Sequence, residues 1–97
     1  MAALTEEMRH SVYNTPEDEL LDFNDIVPEA VNKFRCFYLG GSGQTCRNSF
    51  TDGNFHGFML AGARTSMNYL FQIFFDYYSG VHMRVSSAGK WGAWKKL

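Results

Sequence analysis

The side chains able to do acid–base, nucleophilic or metal chemistry are few in this chain and far apart. Three histidines, His10, His56 and His82, stand in three different segments, and none shares the short spacing that a metal site needs. Cys36 and Cys46 are ten residues apart, with no Cys-x-x-Cys pair and no flanking histidine at zinc spacing. Cys36, inside an aromatic run, reads as a buried thiol, with a bridge to Cys46 as the alternative. Beyond residue 33 the only carboxylates are Asp52 and Asp76, and nothing pairs them as general acid and base. The glycine-rich stretch GGSGQT at 40–45 resembles a phosphate loop only in part. Gln44 stands where that loop needs its lysine, and CRNSFTDGNF follows where a helix is required. The expectation is no catalytic residue, no metal and no cofactor, hence a protein that works by binding.

For binding, the useful side chains cluster near the end of the chain. Tyr77, Tyr78, His82 and Arg84 fall at one predicted hairpin and are the candidate recognition surface, because arginine and tyrosine serve both glycan and protein contacts. The loop from Gly40 to Asn54 is expected beside them. Trp91 and Trp94 are read first as packing, in the core or between subunits, and second as stacking platforms for a ligand. Positions three apart on an ideal strand face opposite ways, so a bulge at Gly92 is needed to bring the two rings together.

The elements that hold these residues are strands. From Phe34 onward FRCFYL, FHGFMLAGA and MNYLFQIFFDYY are each bounded by Gly, Ser, Asn or Asp. Residues 68–97 read as a three-stranded antiparallel meander with turns at Ser79-Gly80 and SSAGK, joined by strands near 34–39 and 56–62. In VHMRV the strict alternation predicts Val81, Met83 and Val85 on a dry face, with His82 and Arg84 on a wet one. YLFQIFF is apolar at almost every position, so its strand needs cover on both sides. The chain's own N-terminal segments supply one side, and a second copy of the protein is expected on the other. The fold class is therefore mainly β: a small antiparallel sheet or sandwich knob preceded by a short helical or extended leader.

Charge divides the chain in the same place. Residues 1–33 carry eight acidic side chains against Arg9 and Lys33, while residues 34–97 carry seven basic ones against Asp52 and Asp76. Residues 1–21 form an acidic leader, a solvated segment or an attachment to a basic partner, and 22–97 form the knob. Two short helices are predicted in the leader, over 4–12 and from Thr15, where Pro16 and three acidic residues suit a first turn. Leu20, Leu21 and Phe23 would then cap the core. A net charge of −1 argues against nonspecific nucleic-acid binding. The N-terminus has no apolar signal-peptide region and no run is long enough to span a bilayer as a helix, so membrane insertion is not expected and a cytoplasmic origin is.

The run FQIFFDYYSGVHMRVSSAGKWGAWKKL, preceded by DFND at 22–25, resembles the C-terminal knob module of bacteriophage tail and head fibres, the pyocin-knob type. Gln72, Gly80, the His82–Arg84 stretch, Gly89, Trp91, Trp94 and Leu97 carry the likeness. It implies a virion structural protein assembled in the host cytoplasm, a fibre or decoration component. Such a protein would form a homo-oligomer, a trimer above all, and bind other virion proteins or a host-surface glycan. Trp91, Trp94 and Leu97 would close the last strand and pack the domain or its subunit contacts. The competing expectation is a small bacterial glycan-binding or cell-wall-associated module, and an enzyme ranks behind both.

Overall fold

A computed structural model describes residues 21–97, and the chain is mainly β. In chain order the elements are β1 (Leu21–Asp22), a 3-10 turn (Phe23–Asp25), β2 (Lys33–Ser42), a second 3-10 turn (Gly43–Thr45), β3 (Cys46–Arg47), β4 (Asn54–Ala63), β5 (Leu70–Asp76), β6 (Gly80–Ser87), β7 (Lys90–Trp91) and β8 (Lys95–Lys96). The antiparallel sheet has the order β2–β4–β5–β6, and both β7 and β8 pair with β6 at its far edge. The predicted meander is present. β1 and β3 form a separate parallel pair. The helices expected before Leu21 lie outside the described residues, and among the described residues no helix is long and apolar enough to cross a membrane.

β2 and β4 are longer than the sequence suggests. Gly40 and Gly41, expected in a loop, pair with His56 and Phe55, and a Cβ on Gly41 would touch the Phe55 ring at 3.5 Å. The small residue leaves room for that ring. The β5–β6 hairpin closes through Tyr77–Ser79 with Gly80 at φ +92°, and the β6–β7 turn places Ala88 and Gly89 at φ +53° and +82°. Two successive positive φ values are what a two-residue turn between right-twisted strands requires, and Gly89 meets that demand without strain.

Cross-strand register sorts the sheet into rows. On the inner face Phe37, Met59, Phe74 and His82 stand side by side, and next to them Arg35, Ala61, Gln72 and Arg84. Among the described residues the cover on this face is not a second large sheet, and the two-stranded β1–β3 pair contributes Leu21 and Cys46 to it. Phe23 and Ile26 from the first turn, with Phe50 from the 48–53 loop, close over it instead and complete an aromatic core. Phe50 reaches Phe23, Phe55, Phe74 and Trp94 with ring centroids 4.9–6.3 Å apart. As expected, Phe23 caps the core and Leu21 packs against it.

Across β2, β4, β5 and β6 the outer face holds three rows, Phe34–Gly62–Phe71–Val85, Cys36–Leu60–Ile73–Met83 and Tyr38–Phe58–Phe75–Val81, with Gly40–His56 beyond the last and Lys95 of β8 beside Met83 at the edge. No residue of the three rows carries a charge. Phe58 stacks on Phe75 at 4.7 Å and meets Tyr38 edge-on at 6.3 Å. Phe71 lies over Gly62 so closely that an added Cβ would sit 2.3 Å from the ring.

This arrangement reverses the faces predicted for β6. His82 and Arg84, expected on the wet side as exposed recognition residues, are 8% and 5% exposed, whereas Val85, expected on the dry side, is 49% exposed. The physical reason is the covering layer. Loops and turns bring backbone carbonyls and indole rings to the inner face, and polar side chains find partners there that an apolar strand face would not supply.

Candidate functional site

The inward polar residues form two linked arrangements. In the first, Gln72 is fully buried and donates through Nε2 to the carbonyls of Phe23 (2.6 Å) and Ile26 (2.8 Å). Its Oε1 accepts from Arg84 Nε at 2.8 Å. One side chain thus satisfies the end of the first 3-10 turn and orients a guanidinium. Arg84 Cζ lies 4.2 Å from the Trp91 ring centroid and 4.6 Å from that of Trp94, within cation–π range of both. Burial lowers the Arg84 pKa to about 10, with the charge of Asp22 acting in the opposite sense. Arg84 Nη2 is buried and has no hydrogen-bond partner among the described residues.

The two tryptophans meet over Arg84 because the chain leaves regular strand geometry between β7 and β8. Gly92 N–H bonds back to Val85 O at 2.8 Å, and Trp94 Nε1 donates to Asn48 O at 2.9 Å. Leu97 ties the terminus through its N–H to Val81 O, while its side chain is 71% exposed. A cleft of about 540 Å³ opens beside Arg84, lined also by Asn24, Asn48, Lys90, Trp91 and Trp94. Asn48 donates to Asp22 Oδ1, which also accepts from Asn24 N–H, each at 2.9 Å. The Asn24 Oδ1 atom is buried without a partner among the described residues.

The second arrangement joins Asp76, Ser79 and His82 at the β5–β6 hairpin. Asp76 accepts from Ser79 Oγ (2.6 Å), Ser79 N (2.9 Å) and His56 N (2.9 Å). Burial alone would raise its pKa, but these donors outweigh it and hold the carboxyl below its ordinary value. Ser79 Oγ is also 2.7 Å from His82 Nε2. Since the hydroxyl proton goes to the carboxylate, His82 Nε2 must carry the hydrogen of that contact. The order is carboxylate, hydroxyl, imidazole. A nucleophilic triad needs the imidazole in the middle, accepting the serine proton. The His82 ring stacks on Phe50 at 4.2 Å, and burial lowers its pKa.

Of the predicted recognition residues, Tyr77 and Tyr78 project from the hairpin, 82% and 63% exposed, whereas His82 and Arg84 lie beneath. Gln72, Arg84, Trp91 and Trp94 converge on one network, while Gly80 and Gly89 shape the turns. Cys36 and Cys46 are not bridged, and burial raises the Cys46 pKa. Sequence reasoning missed Asn24, Asn48, Phe50 and Lys90. The first two share a signal, an asparagine next to an acidic or turn-forming stretch in DFND and RNS. Comparison with known families, curated proteins and solved structures returns no match.

Proposed function

We propose that the chain is a non-enzymatic structural protein of a virion, a fibre or decoration component, that assembles by burying the outer face of its sheet against further copies of itself. The observation that carries the assembly is the three uncharged rows of that face, which include Phe34, Tyr38, Phe58 and Phe75, each more than a third exposed. With four long strands spaced about 4.8 Å apart and paired over about seven residues, the face spans roughly 20 by 23 Å. Two such corrugated faces together bring about 1,000 Å² out of water, the lower bound for a specific interface. The central rows carry no charge that would select a partner of opposite sign, the one cation on this face being Lys95 at its edge, and apolar side chains of this kind pack against further copies of the chain. The virion setting rests on the knob resemblance carried by Gln72, Gly80, Arg84, Gly89, Trp91 and Trp94, and a trimer is the expected form.

The test is Phe75→Glu combined with Val85→Glu, on neighbouring strands of that face. Circular dichroism should keep its β signature while sedimentation velocity shows monomer. A double variant that sediments as the wild type does would refute assembly through this face. A second reading, a small glycan-binding or cell-wall-associated module, is favoured by the cleft beside Arg84.

A further inference from the structure

Arg84 is a buried cation whose Nε donates to Gln72 and whose Nη2 has no hydrogen-bond partner among the described residues. Among the described residues no carboxylate bonds to this guanidinium, Asp22 acting on it only through its charge, and a buried guanidinium is relieved by an anion that offers two oxygens to its fork. The indole rings of Trp91 and Trp94 flank the guanidinium, with Cζ 4.2 and 4.6 Å from their centroids. The cleft adds Lys90, an exposed second cation, and Asn24, whose unpartnered Oδ1 asks for a hydroxyl donor.

We propose that the cleft bounded by Arg84, Trp91, Trp94, Lys90 and Asn24 binds a carboxylate-bearing sugar, with the acid group on the guanidinium and a hydroxyl toward Asn24. The proposal deepens the glycan-binding reading of this cleft and does not depend on assembly through the outer face. The guanidinium fork pairs with a carboxylate or a phosphate alike, and a sugar acid adds to its carboxylate the hydroxyls that Asn24, Asn48 and Ser49 can engage. Nη2 is covered in this structure, so an anion that pairs with it must displace the Lys90–Trp94 segment, which carries the two rings that flank the guanidinium. Two register pairs and the Gly92 N–H bond to Val85 O hold that segment to β6. Both rings move with it.

The chain has two tryptophans, both against Arg84, so their fluorescence reports the site directly. The full chain is titrated with galacturonate, with galactose as the neutral counterpart. A saturable change with galacturonate is expected, with galactose weaker by more than about tenfold, the worth of a charge-assisted hydrogen bond. Removing Arg84 endangers the core, so Lys90→Ala carries the mutational arm. It should weaken galacturonate roughly threefold, as loss of an exposed charge does, with an unchanged melting temperature. Glu17, Asp18 and Glu19 are the chain's own carboxylates just before the described residues, and a Glu17→Gln, Asp18→Asn, Glu19→Gln variant tests them as the source. If that variant alters the tryptophan signal by itself and galacturonate alters neither protein, an external sugar acid is refuted. Equal affinity for galactose would overturn the carboxylate while leaving glycan binding intact. No response to either sugar would overturn both.

Discussion

Replacing Gln72 by methionine removes the polar centre of the fold while keeping a linear side chain of similar length. In the native chain Gln72 makes three hydrogen bonds in a fully buried position. The variant leaves the Ile26 carbonyl unpaired at about 1 kcal/mol and Arg84 Nε unpaired at about 2 kcal/mol because the donor is charged, and it takes about 1 kcal/mol with the second bond of the Phe23 carbonyl, which keeps only the one from Ile26 N–H. The expected loss is about 4 kcal/mol, a large part of the roughly 5–10 kcal/mol that holds a domain of this size. Urea unfolding followed by circular dichroism measures it, at one fixed protein concentration because assembly couples stability to mass action. Ile73→Met, on the outer face of the same strand, is the control and should cost less than about 1.5 kcal/mol. A loss below about 1 kcal/mol for Gln72→Met would refute the reasoning, since the orphaned groups would then have found water or new partners.

Stability should fall in two stages as pH drops. Burial holds the folded His82 pKa below 6.5, so the unfolded chain takes up that proton first and stability declines as pH falls from about 6.5 toward the folded value. Asp76 has a folded pKa below its ordinary value, so its contribution is present above about pH 4 and is lost as pH falls through the folded value. Melting temperatures at pH 7.5, 5 and 3 check both, and a flat profile from 7.5 to 5 would contradict the His82 stage. Two glycines should respond differently to alanine. A Cβ on Gly57 would fall 1.8 Å from the Phe75 carbonyl oxygen, a backbone atom that cannot yield without breaking the β4–β5 ladder. At Gly62 the obstacle is the Phe71 ring, which can swing outward, so Gly62→Ala should cost about 1–3 kcal/mol and Gly57→Ala more, as thermal melts would show.

Much of the sheet was legible because strand boundaries follow local chemistry: Gly80 and Gly89 mark turns, and β6 alternates with period two. The alternation showed that Arg84 and Val85 face opposite ways but not which way is inward. That depends on the covering layer, which Phe23, Ile26 and Phe50 build from segments without periodicity. Gln72, Arg84, Trp91 and Trp94 were each conspicuous by type, yet their meeting depends on the Gln72–Arg84 register and on the irregular Gly92–Trp94 stretch. Asn24 and Asn48 offered only their turn-forming setting in DFND and RNS, since an asparagine in a turn carries no sign of the partner it will face. The double apolar character of β5 was read correctly, and its consequence is the open outer face.

The most direct measurement of the central claim is the native mass of the full chain by light scattering across a dilution series. Assembly through the outer face predicts a multiple of 11.1 kDa that persists to micromolar concentration, with a trimer at three times that mass. A mass of 11.1 kDa at every concentration would contradict it.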